Sequence, residues 1–358
     1  MSRGTTGNRV GWPQPWLWAL ERAIEAASAH RPHPNPRVGA VVVSPAGRVV
    51  ATAAHEARGK PHAETTALAM AGAQASGGTL VVTLEPCSHQ GRTPPCVDAI
   101  VESGVARVVI GVADPDPRVS GSGVAALRAA GIEVEVGVPG VDAERLDPGY
   151  FHHRRTGRPR MTLKLAATLD GQTAAADGTS QWITGEEARL DAHRLRAASD
   201  AVLIGAGTLR HDDPSLDVRI PGHTGPQPRP VVIAGARPLP ATARLYRREP
   251  LVYRLGGIAP MPAGLEVVDA ADLPAVVKDL GARMVVDVLV EGGATLARSL
   301  LVAGLVDRIV LYLAGRLAGG VGRPLFDGSF ATLTDVTEVT IDEVLPVGND
   351  IRITGTPR

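Results

Sequence analysis

The sequence predicts an α/β protein with two domains. At 358 residues the chain is longer than a single hydrophobic core usually serves. Apolar runs rich in β-branched residues alternate with helical patterns, as in sheets that are covered by helices. The alternation breaks around Asp147-Pro148-Gly149, and a basic run follows at residues 152–160. We therefore expect one domain over residues 13–150, a solvated linker, and a second domain over residues 159–358.

The first domain is predicted to form one sheet between helices. The run Thr79–Leu84 follows two glycines and is apolar and β-branched, which indicates a buried strand. Pro61 and Pro94-Pro95 precede two helical patterns, since proline favours the first helical positions. The predicted strands cover residues 38–44, 48–55, 79–84, 106–112 and 132–138, and the predicted helices cover residues 16–29, 63–71, 97–102 and 123–130.

The second domain is predicted to be another αβ series, unrelated by repeat to the first. Thr184-Gly185-Glu186-Glu187 reads as a capping box that opens a helix ending near Ala197. A second helix is expected over residues 294–302. The predicted strands cover residues 161–167, 201–205, 230–233, 251–254, 285–290 and 308–313, and a terminal hairpin pairs residues 336–344 with 350–354.

The only two cysteines, Cys87 and Cys96, lie downstream of His62-Ala63-Glu64 and suggest a catalytic zinc site. Hydrolytic zinc takes three imidazole or thiolate ligands and leaves the fourth position to water, and His62, Cys87 and Cys96 supply that number. Glu64 is then expected beside the open position, where it takes a proton from water and hands it to a leaving amine. The alternatives are a closed structural site with a fourth ligand such as His89, or two unrelated buried thiols.

His-x-Glu followed by Pro-Cys and a second Cys is the signature of zinc deaminases. Here eight residues separate the cysteines, instead of two. The stretch Pro86–Cys96, with Pro34–Gly39 and Asp114–Pro117, resembles the deaminase half of the bifunctional RibD (RibG) family of riboflavin biosynthesis. The resemblance implies a cytidine-deaminase-like α/β/α fold. It also implies substrate contacts by Asn35, His55 and the loop 88–92.

In that loop Ser88, His89 and Arg92 are suited to binding a phosphate group. Two of the implied substrate residues have other interpretations. Asn35 between two prolines is also a good turn residue, and His89 is also a possible helix cap.

The second half has its own candidate site. Leu289–Leu296 reads as strand, glycine turn and helix, whose free backbone amides suit a pyrophosphate. Gly205–Arg210 lacks the third glycine of the dinucleotide fingerprint, so a Rossmann domain is the poorer interpretation. The sets Leu163–Gly171, Ser180–Thr184, Gly207–Pro214 and Val290–Gly293 together resemble the reductase domain of the same family, a dihydrofolate-reductase-like fold that uses NADPH.

The resemblance implies which residues of the second half bind ligands. Cofactor contacts are implied for Ala166, Trp182, Thr208, Asp212 and Gly293, and substrate contacts for Ser180, Arg196, Leu216, Arg219 and Glu291. The two arginines are able to hold a phosphate bidentately, and Trp182 can stack on a flat ring. Asp212 has a helix-terminating turn as its alternative. Lys164 on an apolar strand indicates an active site or a side chain that reaches the surface.

Composition limits the classes of partner. Basic and acidic residues number 37 each, which argues against extended nucleic-acid binding. No apolar stretch suits a signal peptide or a membrane span, and two cysteines committed to metal leave none for disulfides. We therefore expect a cytoplasmic protein without nucleic-acid or membrane partners. We also expect a homo-oligomer.

The family resemblance implies a two-step enzyme with one zinc ion per chain and NADPH. The first step is hydrolytic deamination of 2,5-diamino-6-(5-phosphoribosylamino)pyrimidin-4(3H)-one. The second is reduction of the ribosyl chain to give 5-amino-6-(5-phosphoribitylamino)uracil. The alternatives are a zinc deaminase of another nucleoside, nucleobase or tRNA with a degenerate reductase half that only binds ligand, and a zinc-stabilised binding module without enzymatic activity.

Overall fold

The computed structural model describes residues 16–117, 119–177, 179, 182–257, 260–320, 322–327, 332 and 336–358. It divides into two compact units between Phe151 and His152. Among the residues described, no helix is both long and apolar enough to cross a lipid bilayer.

The first unit is built on a five-stranded sheet in the order β2-β1-β3-β4-β5. Strand β1 is antiparallel to both neighbours, whereas β3, β4 and β5 are parallel. The strands are β1 (Gly39–Val43), β2 (Val49–Ala54), β3 (Thr79–Leu84), β4 (Arg107–Val112) and β5 (Glu133–Val136), and the helices are α1 (Leu17–Ser28), α2 (Ala63–Ala71), α3 (Cys96–Glu102) and α4 (Ser122–Ala129).

The sequence patterns explain this sheet. Every residue of β1 and β3 is buried, as expected for largely apolar strands covered on both faces. All the elements predicted for the first domain are present, with ends that differ by at most two residues. The mixed α/β fold of both halves is as predicted.

The second unit contains a nine-stranded sheet in the order β11-β10-β9-β8-β12-β6-β13-β16-β15. The strands are parallel from β11 to β13, and β16 and β15 are antiparallel additions at one edge. The strands of this unit are β6 (Arg160–Thr168), β7 (Gln172–Ala174), β8 (Ala201–Gly205), β9 (Arg229–Ala234), β10 (Leu251–Leu255), β11 (Glu266–Ala270), β12 (Asp287–Val290), β13 (Arg308–Ala314), β14 (Arg323–Pro324), β15 (Val339–Val347) and β16 (Asp350–Pro357).

Five helices belong to the described residues of this part of the chain, and three of them lie where none was predicted. The helices are α5 (Pro148–Thr156), α6 (Glu186–Ala197), α7 (Ala206–Asp212), α8 (Leu273–Ala282) and α9 (Ala294–Val302). The helices α5, α7 and α8 and the short strands β7, β11 and β14 were missed, and the terminal hairpin extends to Pro357.

The solvated linker predicted at residues 152–160 is wrong. Residues 152–156 belong to α5, and His153 is buried with its Nε2 donating to the carbonyl oxygen of Gly281 at 3.0 Å. Arg158 pairs with Asp307 through two bonds of 2.6 and 2.8 Å. The run of basic residues therefore did not indicate a solvated segment, because His153 and Arg158 have partners far along the chain.

The predicted capping box at Thr184 is also wrong. The N-cap residue of α6 is Gly185, and no side chain forms a capping hydrogen bond there. The Gly185 amide instead donates to Asp350 Oδ2 at 2.7 Å. An acceptor from β16 thus replaces the expected threonine hydroxyl.

Candidate functional site

Three chain segments of the first unit bring His62, Cys87 and Cys96 together. His62 is the residue preceding α2, Cys96 opens α3, and Cys87 follows the carboxyl end of β3. His62 Nδ1 lies 3.1 Å from Cys96 Sγ and 3.6 Å from Cys87 Sγ, and the two sulfur atoms are 3.5 Å apart. The three donor atoms form a compact triangle.

This triangle fits a zinc ion. Zinc bonds of about 2.3 Å to sulfur and about 2.0 Å to nitrogen, at tetrahedral angles, put donor atoms about 3.5–3.8 Å apart. Two thiolates and one imidazole are a preferred zinc donor set. No fourth histidine, cysteine, aspartate or glutamate completes the cluster among the described residues. The described residues therefore supply three ligands of these types, and not the four of a closed structural site.

Local hydrogen bonds favour the thiolate form of Cys87. Cys87 accepts from the backbone amide of Cys96 at 3.4 Å, at the start of α3. The hydrogen bond between the two thiols lowers the pKa of Cys87 to about 4 and raises the pKa of Cys96. The other nitrogen of His62, Nε2, lies 3.4 Å from the hydroxyl of Thr93, which can orient the ring.

Glu64 stands beside the triangle. It lies in the first turn of α2, is 3% exposed, and interacts with the thiol of Cys96. Its Oε2 is buried without a hydrogen-bond partner in the described structure, and burial raises the pKa of the carboxyl group. A buried carboxyl group with an unused oxygen and a raised pKa is suited to exchanging a proton with a bound molecule.

Asn35 and His55 form a pair next to the triangle. Asn35 Nδ2 lies 3.0 Å from His55 Nε2, and His55 Nδ1 lies 3.1 Å from the carbonyl oxygen of Pro61. Because a carbonyl only accepts, Nδ1 carries the proton and Nε2 accepts from Asn35. Burial lowers the pKa of His55, which favours the neutral ring. Its centroid is 5.1 Å from that of His62.

The loop that carries Asn35 is fixed by Asp147, a contact that the sequence did not signal. Asp147 accepts from His33 Nε2 at 3.0 Å and from the Arg37 amide at 2.9 Å. Burial alone would raise the pKa of Asp147, but these hydrogen bonds outweigh it and hold the pKa below its usual range. The partners are more than 100 residues apart in sequence, beyond any local pattern.

The loop after Cys87 presents polar groups outward. His89 and Arg92 are exposed, and Ser88 Oγ lies 2.8 Å from Ser122 Oγ. Of the described residues, none forms a hydrogen bond with His89, so its predicted alternative as a helix cap is not observed. Exposure leaves both side chains available to a substrate.

In the second unit, Arg196 and Glu291 form a close ion pair. Arg196 Nε lies 2.6 Å from Glu291 Oε1 and Nη2 lies 2.8 Å from Oε2, while Nη1 donates to the Asp217 carbonyl at 2.9 Å. Burial would raise the pKa of Glu291, but Arg196 lowers it to about 2, helped by Lys164. The bidentate edge of Arg196 thus faces Glu291.

Lys164 on β6 belongs to the same cluster. It is half-buried, and burial lowers its pKa while Glu291 opposes that change. Lys164 lies on β6, Arg196 lies on α6, and Glu291 follows the end of β12. Strand β12 is the neighbour of β6 in the sheet. An ionisable lysine beside a carboxylate at a strand end is typical of a reaction site.

Two helices begin side by side after neighbouring parallel strands. Helix α7 follows β8 after Gly205, and α9 follows β12 after Gly293, and neither cap uses a side chain. A Cβ on Gly293 would lie 3.9 Å from Thr208 Oγ1, so the two turns are adjacent. The first-turn amides of α9 are suited to a phosphate group of a cofactor.

Asp212 and Asp213 end helix α7. Asp212 is the last helical residue, and burial raises its pKa. Asp213 has a φ of 39°, in the left-handed region, and pairs with Arg244 at 3.1 Å. The helix-terminating turn foreseen as the alternative for these residues is therefore present.

The remaining predicted ligand residues occupy varied environments. Trp182 is 60% exposed, with the Arg189 guanidinium 4.6 Å from its ring centroid. Leu216 is buried with a φ of 52°, Ala166 is half-buried on β6, and Arg219 pairs with Asp217 at 2.6 Å. Ser180 lies outside the described residues.

Comparisons with known proteins cover both halves. Residues 16–112 match the family model described as the cytidine and deoxycytidylate deaminase zinc-binding region, and residues 159–353 match the RibD C-terminal domain. The first match includes all three residues of the metal triangle and Glu64.

Full-length relatives share most of the chain. The riboflavin biosynthesis protein RibD of Mycobacterium tuberculosis strain CDC 1551 is 42% identical over 89% of this chain and 90% of its own length. The protein of the same name from Escherichia coli K12 is 39% identical over 93% of this chain and 96% of its own length.

Solved structures of RibD proteins are similar to this chain over most of its length. Acinetobacter baumannii RibD, form 2, has a TM-score of 0.89 and 37% identity, covering 96% of this chain and 99% of that one. A Thermotoga maritima diaminohydroxyphosphoribosylaminopyrimidine deaminase/5-amino-6-(5-phosphoribosylamino)uracil reductase has a TM-score of 0.86 and 33% identity, with the same coverage.

Proposed function

This chain belongs to the RibD family, and we propose that its two halves catalyse consecutive steps on one phosphoribosyl-pyrimidine. It is a bifunctional deaminase and reductase of riboflavin biosynthesis that uses zinc and NADPH. We assign deamination of 2,5-diamino-6-(5-phosphoribosylamino)pyrimidin-4(3H)-one to residues 13–150. Reduction to 5-amino-6-(5-phosphoribitylamino)uracil is assigned to residues 159–358. The alternative of a degenerate, ligand-binding second half is disfavoured, because the family matches extend over both halves.

In the proposed deamination, His62, Cys87 and Cys96 hold the zinc ion. Zinc, when bound, makes a water molecule acidic enough to lose a proton near neutral pH. Glu64 accepts that proton and delivers it to the departing nitrogen, so that water and the amine become the ring carbonyl and ammonia. Asn35 and neutral His55 orient the pyrimidine ring, and His89 in the loop 88–92 faces the ribose phosphate.

In the proposed reduction, bound NADPH would supply the hydride needed at C1 of the opened ribose. Trp182 stacks against a flat ring, and the amides after Gly293 bind a phosphate group. The remaining cofactor contacts are assigned to Ala166, Thr208 and Asp212. Substrate contacts are assigned to Ser180, Arg196, Leu216, Arg219 and Glu291.

One observation carries the deaminase assignment: a triangle of one nitrogen and two sulfur atoms has beside it a buried carboxyl group with an unpaired oxygen. The test compares zinc content and ammonia release in the wild type and in Glu64→Ala. We expect the variant to keep its zinc and to lose ammonia release by at least about 100-fold. Glu25→Ala, on the exposed side of α1, is the control. Retained zinc with undiminished ammonia release would rule out the role of Glu64.

A separate measurement tests the reductase half. NADPH oxidation is followed with the deaminated substrate and with the original substrate, using the Glu64→Ala enzyme so that no deamination intervenes. We expect oxidation only with the deaminated compound. Tight binding of that compound without any oxidation would instead favour a degenerate second half.

We also propose a homo-oligomer in which β15 packs against a second copy of the chain. Strand β15 lies at the edge of the nine-stranded sheet and exposes Ile341 by 61% and Val344 by 56%. Apolar side chains on an open edge strand are normally covered. Light scattering should give a multiple of the 37.2 kDa chain mass, and Ile341→Lys should lower it. A monomeric wild type would exclude this proposal.

The proposed cellular setting is the cytoplasm. Both cysteines are free thiols and neither is used for a disulfide, which supports this assignment. The equal numbers of basic and acidic residues support a small-molecule substrate without a nucleic-acid partner.

A further inference from the structure

Glu85 is a buried carboxylate that the mechanism above does not use. It stands between the end of β3 and the Pro86-Cys87 pair and is 3% exposed. Its Oε2 accepts from the backbone amides of Asp114 at 3.2 Å and Gly121 at 3.0 Å. Its Oε1 accepts from the amides of Gly123 at 3.0 Å and Val124 at 3.2 Å.

Four backbone donors use up the acceptor capacity of a carboxylate, which has about four lone-pair sites. The donors begin with Asp114, from the Asp-Pro-Asp-Pro stretch after β4, and continue into the first turn of α4. They lie 29 to 39 residues from Glu85 along the chain. The side chain therefore acts as a tie between two distant segments, rather than as a group that exchanges protons or binds a ligand.

Two further contacts join the same segments on either side of Cys87. A Cβ on Gly123 would lie 2.0 Å from the carbonyl oxygen of Pro86, so the two backbones touch. Beyond the cysteine, Ser88 Oγ lies 2.8 Å from Ser122 Oγ. Cys87 is thus held between neighbours that all rest on the first turn of α4.

The other two candidate ligands have a different kind of support. His62 and Cys96 sit at the starts of α2 and α3, whose own helical hydrogen bonds define their backbone. Cys87 lies in an irregular stretch, because β3 ends at Leu84 and α3 begins only at Cys96. The direction of its sulfur atom must therefore come from tertiary contacts.

We propose that Glu85 is a positioning residue that holds Cys87 in the metal triangle, and that Ser122 positions the start of the substrate loop 88–92. The inference rests on the proposed zinc-dependent deamination and names the residues that assemble that site. Glu85 acts through Cys87 and touches no reacting atom. Residues around a metal ligand commonly change metal affinity or activity about 10- to 100-fold when they are replaced.

The main experiment uses the full-length, zinc-loaded protein and Glu85→Gln. The amide has the same shape but turns a donor group toward two of the four backbone amides. We expect zinc transfer to a chromophoric chelator to become about tenfold faster. We also expect the visible absorption bands of the cobalt-substituted protein to change, since they report the geometry of the thiolate ligands. NADPH oxidation with the deaminated substrate should stay unchanged.

Glu133→Gln is the matched control, because Glu133 on β5 is exposed and pairs only with Arg107 in the described structure. It should leave both the chelator rate and the cobalt spectrum unaltered. Ser122→Ala separates the two parts of the proposal. It should raise the KM of deamination several-fold and should speed zinc transfer much less than Glu85→Gln does.

A merely structural role for Glu85 predicts a different pattern. Glu85→Gln would then lower the thermal unfolding midpoint and leave the chelator rate and the cobalt spectrum of the folded protein as in the wild type, which would overturn the proposal. If Glu85→Gln does not fold, Glu85→Asp replaces it in the same measurements. Aspartate keeps the negative charge, but its side chain is one methylene shorter, so the carboxylate lies farther from the four amides. A wild type that takes up no zinc would refute the proposed function itself, whereas normal deamination with no effect of either Glu85 variant would refute only this inference.

Discussion

His55 and His62 are close together yet suited to different tasks, because different hydrogen bonds fix their protons. His55 donates from Nδ1 to a carbonyl and is kept neutral by burial, so its Nε2 holds the amide of Asn35. His62 turns Nδ1 to the two sulfur atoms. The tautomer of each ring therefore follows from its neighbours and not from the residue type.

In the second unit, the protonation of Glu291 also depends on its neighbours. Its pKa of about 2 lies below the value of about 4.3 for an unfolded chain, so ionisation stabilises the folded state. That contribution is present above about pH 4.3 and is lost as the pH falls toward 2. We expect the wild-type free energy of unfolding to fall over this range more steeply than that of Glu291→Gln.

At neutral pH, Glu291→Gln should cost about 3 kcal/mol, since it leaves Arg196 and Lys164 without their counter-charge. Urea unfolding at pH 7, 4 and 3 measures both effects, with the exposed Glu186→Gln as control. Parallel pH profiles for the wild type and Glu291→Gln would contradict the role of the ion pair.

At the scale of single elements, the loop of residues 33–37 depends on a residue near the end of the first unit. Asp147→Asn weakens the hydrogen bonds to His33 and to the Arg37 amide, so Asn35 loses its fixed position beside His55. We expect the KM of deamination to rise about tenfold, with NADPH oxidation unchanged. Steady-state kinetics of both steps test this, with the exposed Asp142→Asn as control. An unchanged KM would show that the loop holds without Asp147.

Helix α8 packs directly on the turn after α5. A Cβ on Gly281 would lie 2.1 Å from the carbonyl oxygen of Gly157, whereas one on Gly235 would meet nothing within 4 Å. Gly281→Ala should therefore destabilise the protein by about 1–3 kcal/mol, although alanine favours helices. Gly235→Ala is the matched control and should be close to neutral. Thermal unfolding of the two variants gives the comparison, and equal midpoints would contradict this close approach.

At the scale of the whole molecule, each unit has a hydrophobic core of its own. Loss of the metal in the first unit should therefore leave the second unit active. Cys96→Ser is expected to lose zinc and ammonia release while it still oxidises NADPH with the deaminated substrate. Asp98→Asn, exposed on the same helix, serves as control. Equal loss of both activities in Cys96→Ser would show that the two steps are not separable.

Local sequence patterns were enough to predict most of the α/β elements and to propose the zinc ligands. Strands such as Thr79–Leu84 and helices such as Ala63–Ala71 follow from local apolar patterns and from proline at helix starts, which act over a few residues. His62, Cys87 and Cys96 were recognisable as candidate zinc ligands because few residue types bind zinc, and the fold brings them together.

The contacts between distant groups become visible only in the folded chain. The acceptor for Gly185 is Asp350, the tie beside Cys87 is Glu85 with the first turn of α4, and the clamp on the Asn35 loop is Asp147. The basic run at residues 152–160 was misjudged for the same reason, since Gly281 and Asp307 bind its side chains. Such contacts depend on the path of the whole chain, which brings together residues that no local pattern connects.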